Sequence, residues 1–390
     1  PLTLLLVWSA LDLVELVIQL PSAQGETNNE KIVISFSTRV MGSGLLLWAN
    51  IVSAAQGNVF DFQSIAPQAG IYLVLAAGLR LGVLPLHLPY ASETSLRRGI
   101  GTSLRLISAV SSLALLARAP AEGLQSAFTP FLMGLSVLAA LYGGWMWLRA
   151  PDDLNGRPYW IICLAALAII SALSGNPLGV VAWGCALLLV GGALFLASAQ
   201  HLWTERALLV GALSLSSAPF SLTASAWVGS LGFSVPFVIA AQALLIAGFL
   251  RQALRANTRR ALESEASWGI RMYPAGITLL GLFQILLGLT GWTGAFQIGA
   301  WLQALITALL TAAAAWAAPR LRLLNPARAH WVKGTASFSL SAAYRGLWLL
   351  YRLIRRVSQT IIAALEGEGG MMWTLLLLIL FISFITQGNP

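Results

Sequence analysis

Gly78-Leu-Arg80-Leu-Gly-Val-Leu-Pro85-Leu-His87-Leu-Pro89-Tyr-Ala91-Ser-Glu93 is the stretch on which the reading of this chain turns. It closes an apolar run that starts near residue 67. Arg80 lies inside that run, where a charged side chain costs at least about 2.5–3.5 kcal/mol on insertion scales. Pro85 and Pro89 lie too close together for a continuous helix, because each removes a backbone donor and clashes with the preceding turn. The stretch therefore reads as a helix that carries a buried cation, breaks, and leaves His87 on irregular backbone near one membrane face.

The rest of the chain agrees with a lipid setting. Of 390 residues, 9% are Asp, Glu, Lys or Arg and 58% are hydrophobic, against about 25% charged in a soluble domain. So few charges cannot cover a water-facing surface, which excludes a soluble enzyme, a disordered chain and a nucleic-acid-binding domain. A spanning helix needs about 20 mostly apolar residues. Such segments run near 1–20, 32–54, 67–88, 100–118, 125–148, 158–174, 177–199, 206–223, 230–250, 271–291, 296–318 and 371–387. The continuous runs exclude a barrel, whose strands alternate. The expectation is an all-α polytopic membrane protein with about twelve visible spans, some of them broken.

Basic residues test that segmentation. Odd-numbered connections hold Lys31; Arg97 and Arg98; Arg149 and Arg157; Arg206; Arg251, Arg255, Arg259 and Arg260; then Arg320, Arg322, Arg328 and Lys333. Even-numbered ones hold Arg118 alone, at a helix end. By the positive-inside rule the odd connections are cytoplasmic, and the net charge of +9 marks that face. Residues 337–366 carry Arg345, Arg352, Arg355 and Arg356 beside an apolar face. They read as an amphipathic helix on the membrane surface or packed on a partner. Three regions follow: a bundle over 1–318, a cytoplasmic-side linker and amphipathic helix over 319–370, and a last span over 371–390. Pro1 stands inside an apolar run, so further helices are expected before it.

The charges within spans narrow the function. Asp12 and Glu15 share a face of the first segment, being three residues apart. Arg39, Arg80 and Arg105 lie in the next three. These five make an ion or proton path, a gating charge pair, or a structural ion pair that fixes helix register. Arginine as a residue type holds its proton too firmly for a relay, which favours the last. His87 is a relay candidate by chemistry, or a satisfied polar group at a helix end. Glu93, Asp153 and Arg157 are loop candidates. Cys163 and Cys185 read as buried thiols without metal spacing, and three scattered histidines do not make a metal site. No resident cofactor is expected.

The opening stretch also resembles a signature of antiporter-like membrane subunits, found in respiratory complex I (NADH-quinone oxidoreductase) and in multisubunit cation/proton antiporters. In that family a lysine stands five residues before Pro-Leu-His; here the position is Arg80. Ala10-Leu-Asp12-Leu-Val-Glu15-Leu resembles the helix that carries the family's glutamate, which pairs with that lysine. The resemblance thus implies Asp12 with Arg80 as a substituted pair, with Glu15 as competitor. Asp153-Leu-Asn-Gly-Arg157 resembles the family's Asp-Leu-Lys-Arg loop. Ser214-Leu-Ser-Ser-Ala218-Pro219-Phe resembles the stretch before its second broken helix, and Leu365–Trp373 resembles the end of longer subunits.

Two departures stand against it. Ser103, Leu104 and Arg105 occupy the zone of the family's central histidine or lysine, and residues 230–250 hold no ionisable group where a lysine or glutamate is expected. The resemblance implies a subunit of a hetero-oligomeric complex in a bacterial-type plasma membrane or other energy-transducing membrane. It would aid proton or cation translocation, or its coupling, without a redox centre of its own. The departures predict an incomplete proton half-channel, and the alternative is a scaffold that kept the fold and lost transport. Whether quinone touches the chain is left open. A polytopic enzyme using His87 on a lipid-like substrate would need a second group, for which Glu93 and Asp153 are the ones at hand.

Overall fold

The computed structural model describes residues 2–19, 26–57, 65–89, 98–120, 124, 126–197, 199–200, 202–227, 232–254, 260–261, 267–290 and 298–320. The chain divides into two units, Pro1–Leu324 and Asn325–Pro390. The described residues all belong to the first. The amphipathic helix 337–366, the last span and Glu93 lie outside them.

Eleven α-helices are described: α1 (Leu2–Gln19), α2 (Glu26–Ala55), α3 (Gly70–Arg80), α4 (Arg98–Leu116), α5 (Thr129–Arg149), α6 (Asp153–Leu173), α7 (Pro177–Leu196), α8 (Leu202–Leu215), α9 (Val235–Ala253), α10 (Ser267–Thr290) and α11 (Ile298–Arg320). Each falls on one of the first eleven apolar segments. Among the described residues, seven helical stretches are long and apolar enough to cross a membrane. A two-residue parallel pairing, Ala199–Gln200 with Arg260–Ala261, is the extended structure among them. The protein is an all-helical membrane bundle.

Two helices are too short to cross a bilayer by themselves. α3 has 11 residues and α8 has 14; at 1.5 Å per residue these rise about 16 and 21 Å, short of a hydrocarbon core of about 30 Å. The expected spans 67–88 and 206–223 are therefore part helix, part irregular backbone. After α3 the chain turns at Gly82 (φ +73°) and reaches a cis Leu84–Pro85 bond. A Cβ at Gly82 would stand 2.3 Å from the carbonyl oxygen of His87, so the turn admits no side chain there. After α8 the left-handed residues Ser217 (φ 56°) and Phe220 (φ 63°) fold the backbone into a short 3-10 turn, Ala224–Trp227.

The core sits around α6, where Trp160 through Leu173 are all buried. A helix apolar on every side belongs at the centre of a bundle. Its N-terminus lies earlier than the sequence suggests. Asp152 caps it by accepting from the Asn155 amide, and the helix continues through Pro158 with the loss of one backbone bond. Asp153 and Arg157 are thus helix residues rather than loop residues. Helices α5 and α6 meet backbone to backbone: a Cβ on Gly143 would lie 2.8 Å from the Cys163 nitrogen. In lipid such close packing, rather than water exclusion, holds helices together. Trp147, Trp160, Phe195 and Phe249 join α5, α6, α7 and α9 by ring contacts at 5.4 to 6.0 Å.

Candidate functional site

The irregular segment after α3 positions Arg80, which is the helix's last residue. A cation at a helix C-terminus faces the negative pole of its dipole. On α1, Trp8, Asp12, Glu15 and Gln19 follow one another at helical spacing and all four are buried. The guanidinium of Arg80 stacks over the Trp8 ring at 4.2 Å, and Trp8 Nε1 donates to Ser111 Oγ on α4. Gly42 on α2 provides the room: a Cβ there would stand 2.5 Å from the Cγ of Arg80.

The geometry answers which acid pairs with Arg80. Its Nη1 donates to Asp12 Oδ2 at 2.7 Å and its Nη2 to Asp12 Oδ1 at 3.1 Å. Nη1 also reaches the Arg39 carbonyl at 3.2 Å and Ser43 Oγ at 3.1 Å. Glu15 does not compete. Arg39 is bonded to Glu15 through Nη1, and its Nε lies 3.4 Å from Asp12 Oδ1. Arg105 Nε lies 3.5 Å from Glu15 Oε1, which also accepts from Gln19 at 2.8 Å. The charges therefore alternate in sign along one string, Arg80–Asp12–Arg39–Glu15–Arg105, drawn from four helices. All five residues are at most 2% exposed. An alternating string lets each charge be solvated by its neighbours, which is how such a cluster is tolerated in lipid.

A second centre lies at the start of α6. Arg98 grips Asp153 at 2.5 and 3.0 Å and also donates to the Phe195 and Ala197 carbonyls at the end of α7. Buried Arg157 donates to Thr102 Oγ1 at 2.9 Å. The sequence reading took Arg98 only as an orientation charge. Its spacing to Thr102, Arg105 and Ser108 puts all four on one stripe of α4, which links the two centres. Thr102, Ser108 and Ser43 were likewise unmarked, being weakly polar residues common in spans. His87 stands apart from both strings: its Nδ1 donates to the Pro85 carbonyl at 2.8 Å, and its Nε2 is buried.

The break after α8 is polar but uncharged. Gln242 of α9 donates to the Leu215 carbonyl at 2.6 Å and to Ser217 Oγ at 2.7 Å. Thr223 Oγ1 receives the Ser217 hydroxyl and donates to the Ser214 carbonyl. Gln284 of α10 accepts from Ser214. Among the described residues no group of three or more His, Cys, Asp or Glu side chains is placed to hold a metal ion. Cys163 is buried and Cys185 half-buried, both as free thiols.

The fold is similar to that of a solved structure. The chain aligns with a chain in the structure of the Mrp complex from Dietzia sp. DQ12-45-1b, with a TM-score of 0.65 and 13% sequence identity, over 99% of this chain and 49% of that one. It thus spans about half the length of that neighbour. At this identity the likeness shows the fold, that of a subunit of a membrane complex. No family profile and no curated protein matches the sequence.

Proposed function

We propose that the chain is a membrane subunit of an antiporter-like or complex I-like assembly, contributing to proton or cation translocation or to its coupling. The observation that carries this reading is the Arg80–Asp12 fork, which stands where the resemblance puts a lysine–carboxylate pair. The fold of the Mrp neighbour supports it. Its partners are other membrane subunits of a hetero-oligomeric complex, together with lipid, and its arginine-rich connections face the cytoplasm of a bacterial-type plasma membrane or its equivalent. Arginine at this position orients and couples rather than hands on a proton, since the residue type retains its charge. The chain carries no redox centre in this reading.

The experiment is Arg80→Ala in the assembled complex, in sealed vesicles, with Arg80→Lys beside it. Lost ion movement in the first and recovery in the second support the coupling role. Unchanged ion movement in an intact Arg80→Ala complex would sink it. That result would favour a scaffold, for which one specific feature already speaks: residues 230–250 have no ionisable side chain beside the break that follows α8.

A further inference from the structure

Helices α5 and α9 run parallel and end together. Phe237 shares a groove with Phe131, Gly144 meets Leu244, and Arg251 donates to the Leu148 and Ala150 carbonyls. Gln252 also donates to Ala150, at 3.0 Å. The end of α5 is thus capped by α9, and Arg251 offsets the negative pole of its dipole. Arg149, on α5 itself, has no such task. Among the described residues it has no hydrogen bond and no acid within ion-pair distance. The acids nearest in sequence are committed: Asp152 bonds Asn155 through both oxygens, and Asp153 is gripped by Arg98. Arg149 is nonetheless held, half-buried, with its guanidinium 5.7 Å from the centre of the Trp145 ring. Arg149, Trp145, Tyr142 and Leu138 recur every three or four residues, which puts them on one face of α5. Leu138 belongs to an open groove of about 490 Å³ lined wholly by apolar residues, among them Phe131, Gly134, Leu141 and, from α9, Phe237.

We propose that the shared end of α5 and α9 is a headgroup site for an anionic phospholipid, with Arg149 on the phosphate and an acyl chain running into the groove. A guanidinium fork binds phosphate oxygens through two donors. Trp145 lies about 6 Å deeper at 1.5 Å per residue, a level at which indole rings sit among headgroups. Leu141 and Leu138 lie about 12 and 17 Å from Arg149 on the same measure, so an acyl chain that fills one leaflet of about 15 Å reaches the groove. Charge decides the lipid class. A zwitterionic headgroup brings its own cation up to Arg149 and Arg251, whereas phosphatidylglycerol brings only the anion. Snorkelling to water would satisfy Arg149 alone, but it would leave unused the groove that continues from it. The site goes beyond the coupling role proposed for Arg80 and Asp12, shares no residue with it, and stands or falls separately.

Photo-crosslinking in lipid nanodiscs tests the site. The probe is phosphatidylglycerol with a diazirine midway along one acyl chain, given in trace amount to the assembled complex, and adducts are mapped by mass spectrometry. Adducts at 134–141 and Phe237 are expected several-fold above those from the matching phosphatidylcholine probe. Arg149→Gln should lower them several-fold, Arg149→Lys should retain most of them, and Arg118→Gln, at the far end of α4, should change nothing. Unlabelled phosphatidylglycerol should displace the probe, and unlabelled phosphatidylcholine should not. Equal labelling by the two probes overturns the proposal, as does unchanged labelling in a folded Arg149→Gln complex. Displacement by inorganic phosphate at matched ionic strength overturns it in favour of a free-anion site. Adducts on the isolated full chain that vanish in the complex overturn it in favour of a partner helix.

Discussion

Arg80 holds Asp12 through both of its terminal nitrogens, at 2.7 and 3.1 Å, across 68 residues of sequence. The fork fixes the azimuth of α1 against the end of α3, and Trp8 covers the guanidinium from the other side. A single-point contact would leave either helix free to rotate; two parallel bonds do not. The pair is thus a registration device as well as a charge pair.

Removing one member should cost more than removing both. Asp12→Asn is expected to destabilise the bundle by about 3–5 kcal/mol, because it leaves Arg80 without its counter-charge in a buried site. Asp12→Asn with Arg80→Met should recover part of that loss. Thermal unfolding in nanodiscs checks it, and an additive double variant would refute pairwise coupling.

Glu15 is the shared acid of Arg39 and Arg105. Glu15→Gln should destabilise more than Asp153→Asn, because Arg98 is 24% exposed in its side chain and retains access to water and to the α7 carbonyls. Side-by-side melting curves decide this; equal shifts would remove the distinction between the two centres.

The α5–α6 seam should tolerate no added bulk. Gly143→Val places a methyl-bearing carbon against the Cys163 backbone, and overpacking of this kind costs about 1–3 kcal/mol. Trp160→Ala should cost about 3–5 kcal/mol by opening a cavity within the four-ring cluster. Both are read as a lower melting temperature with the helical circular dichroism retained at low temperature.

Orientation follows from the two ends of α6. In a chain with Cys163→Ala and Cys185→Ala, Ser174→Cys is expected to react with an impermeant maleimide added outside right-side-out vesicles. Asn155→Cys should react only after permeabilisation, as the proposed inward orientation of the arginine-rich connections requires. The reverse pattern would invert the topology.

The existence and order of the eleven described helices were legible, though not all of their ends. Continuous apolar length set α1 to α11, the Ser174–Pro177 turn divided α6 from α7, and Pro85 with Pro89 announced the break after α3. Asp12, Glu15, Arg39, Arg80 and Arg105 stood out because a charge among apolar residues is conspicuous in one dimension. Arg98 did not, because it borders a loop where arginine is expected. The early start of α6 was hidden by Gly156 and Pro158, which read as loop chemistry until the Asp152 cap is seen.

Membrane residence, the eleven described helices and the five charges within the first four spans are properties of the linear chain, since bilayer thickness and the cost of a charge in lipid act on each segment alone. Which acid meets which arginine is a different matter. Arg39 bridges Asp12 and Glu15, and Gln242 closes on the end of α8, only because of how neighbouring helices are rotated and crossed. That rotation is set by close packing at positions such as Gly42 and Gly143, between residues far apart in sequence. No local pattern carries it, and the pairing of charges emerges only when the helices are assembled.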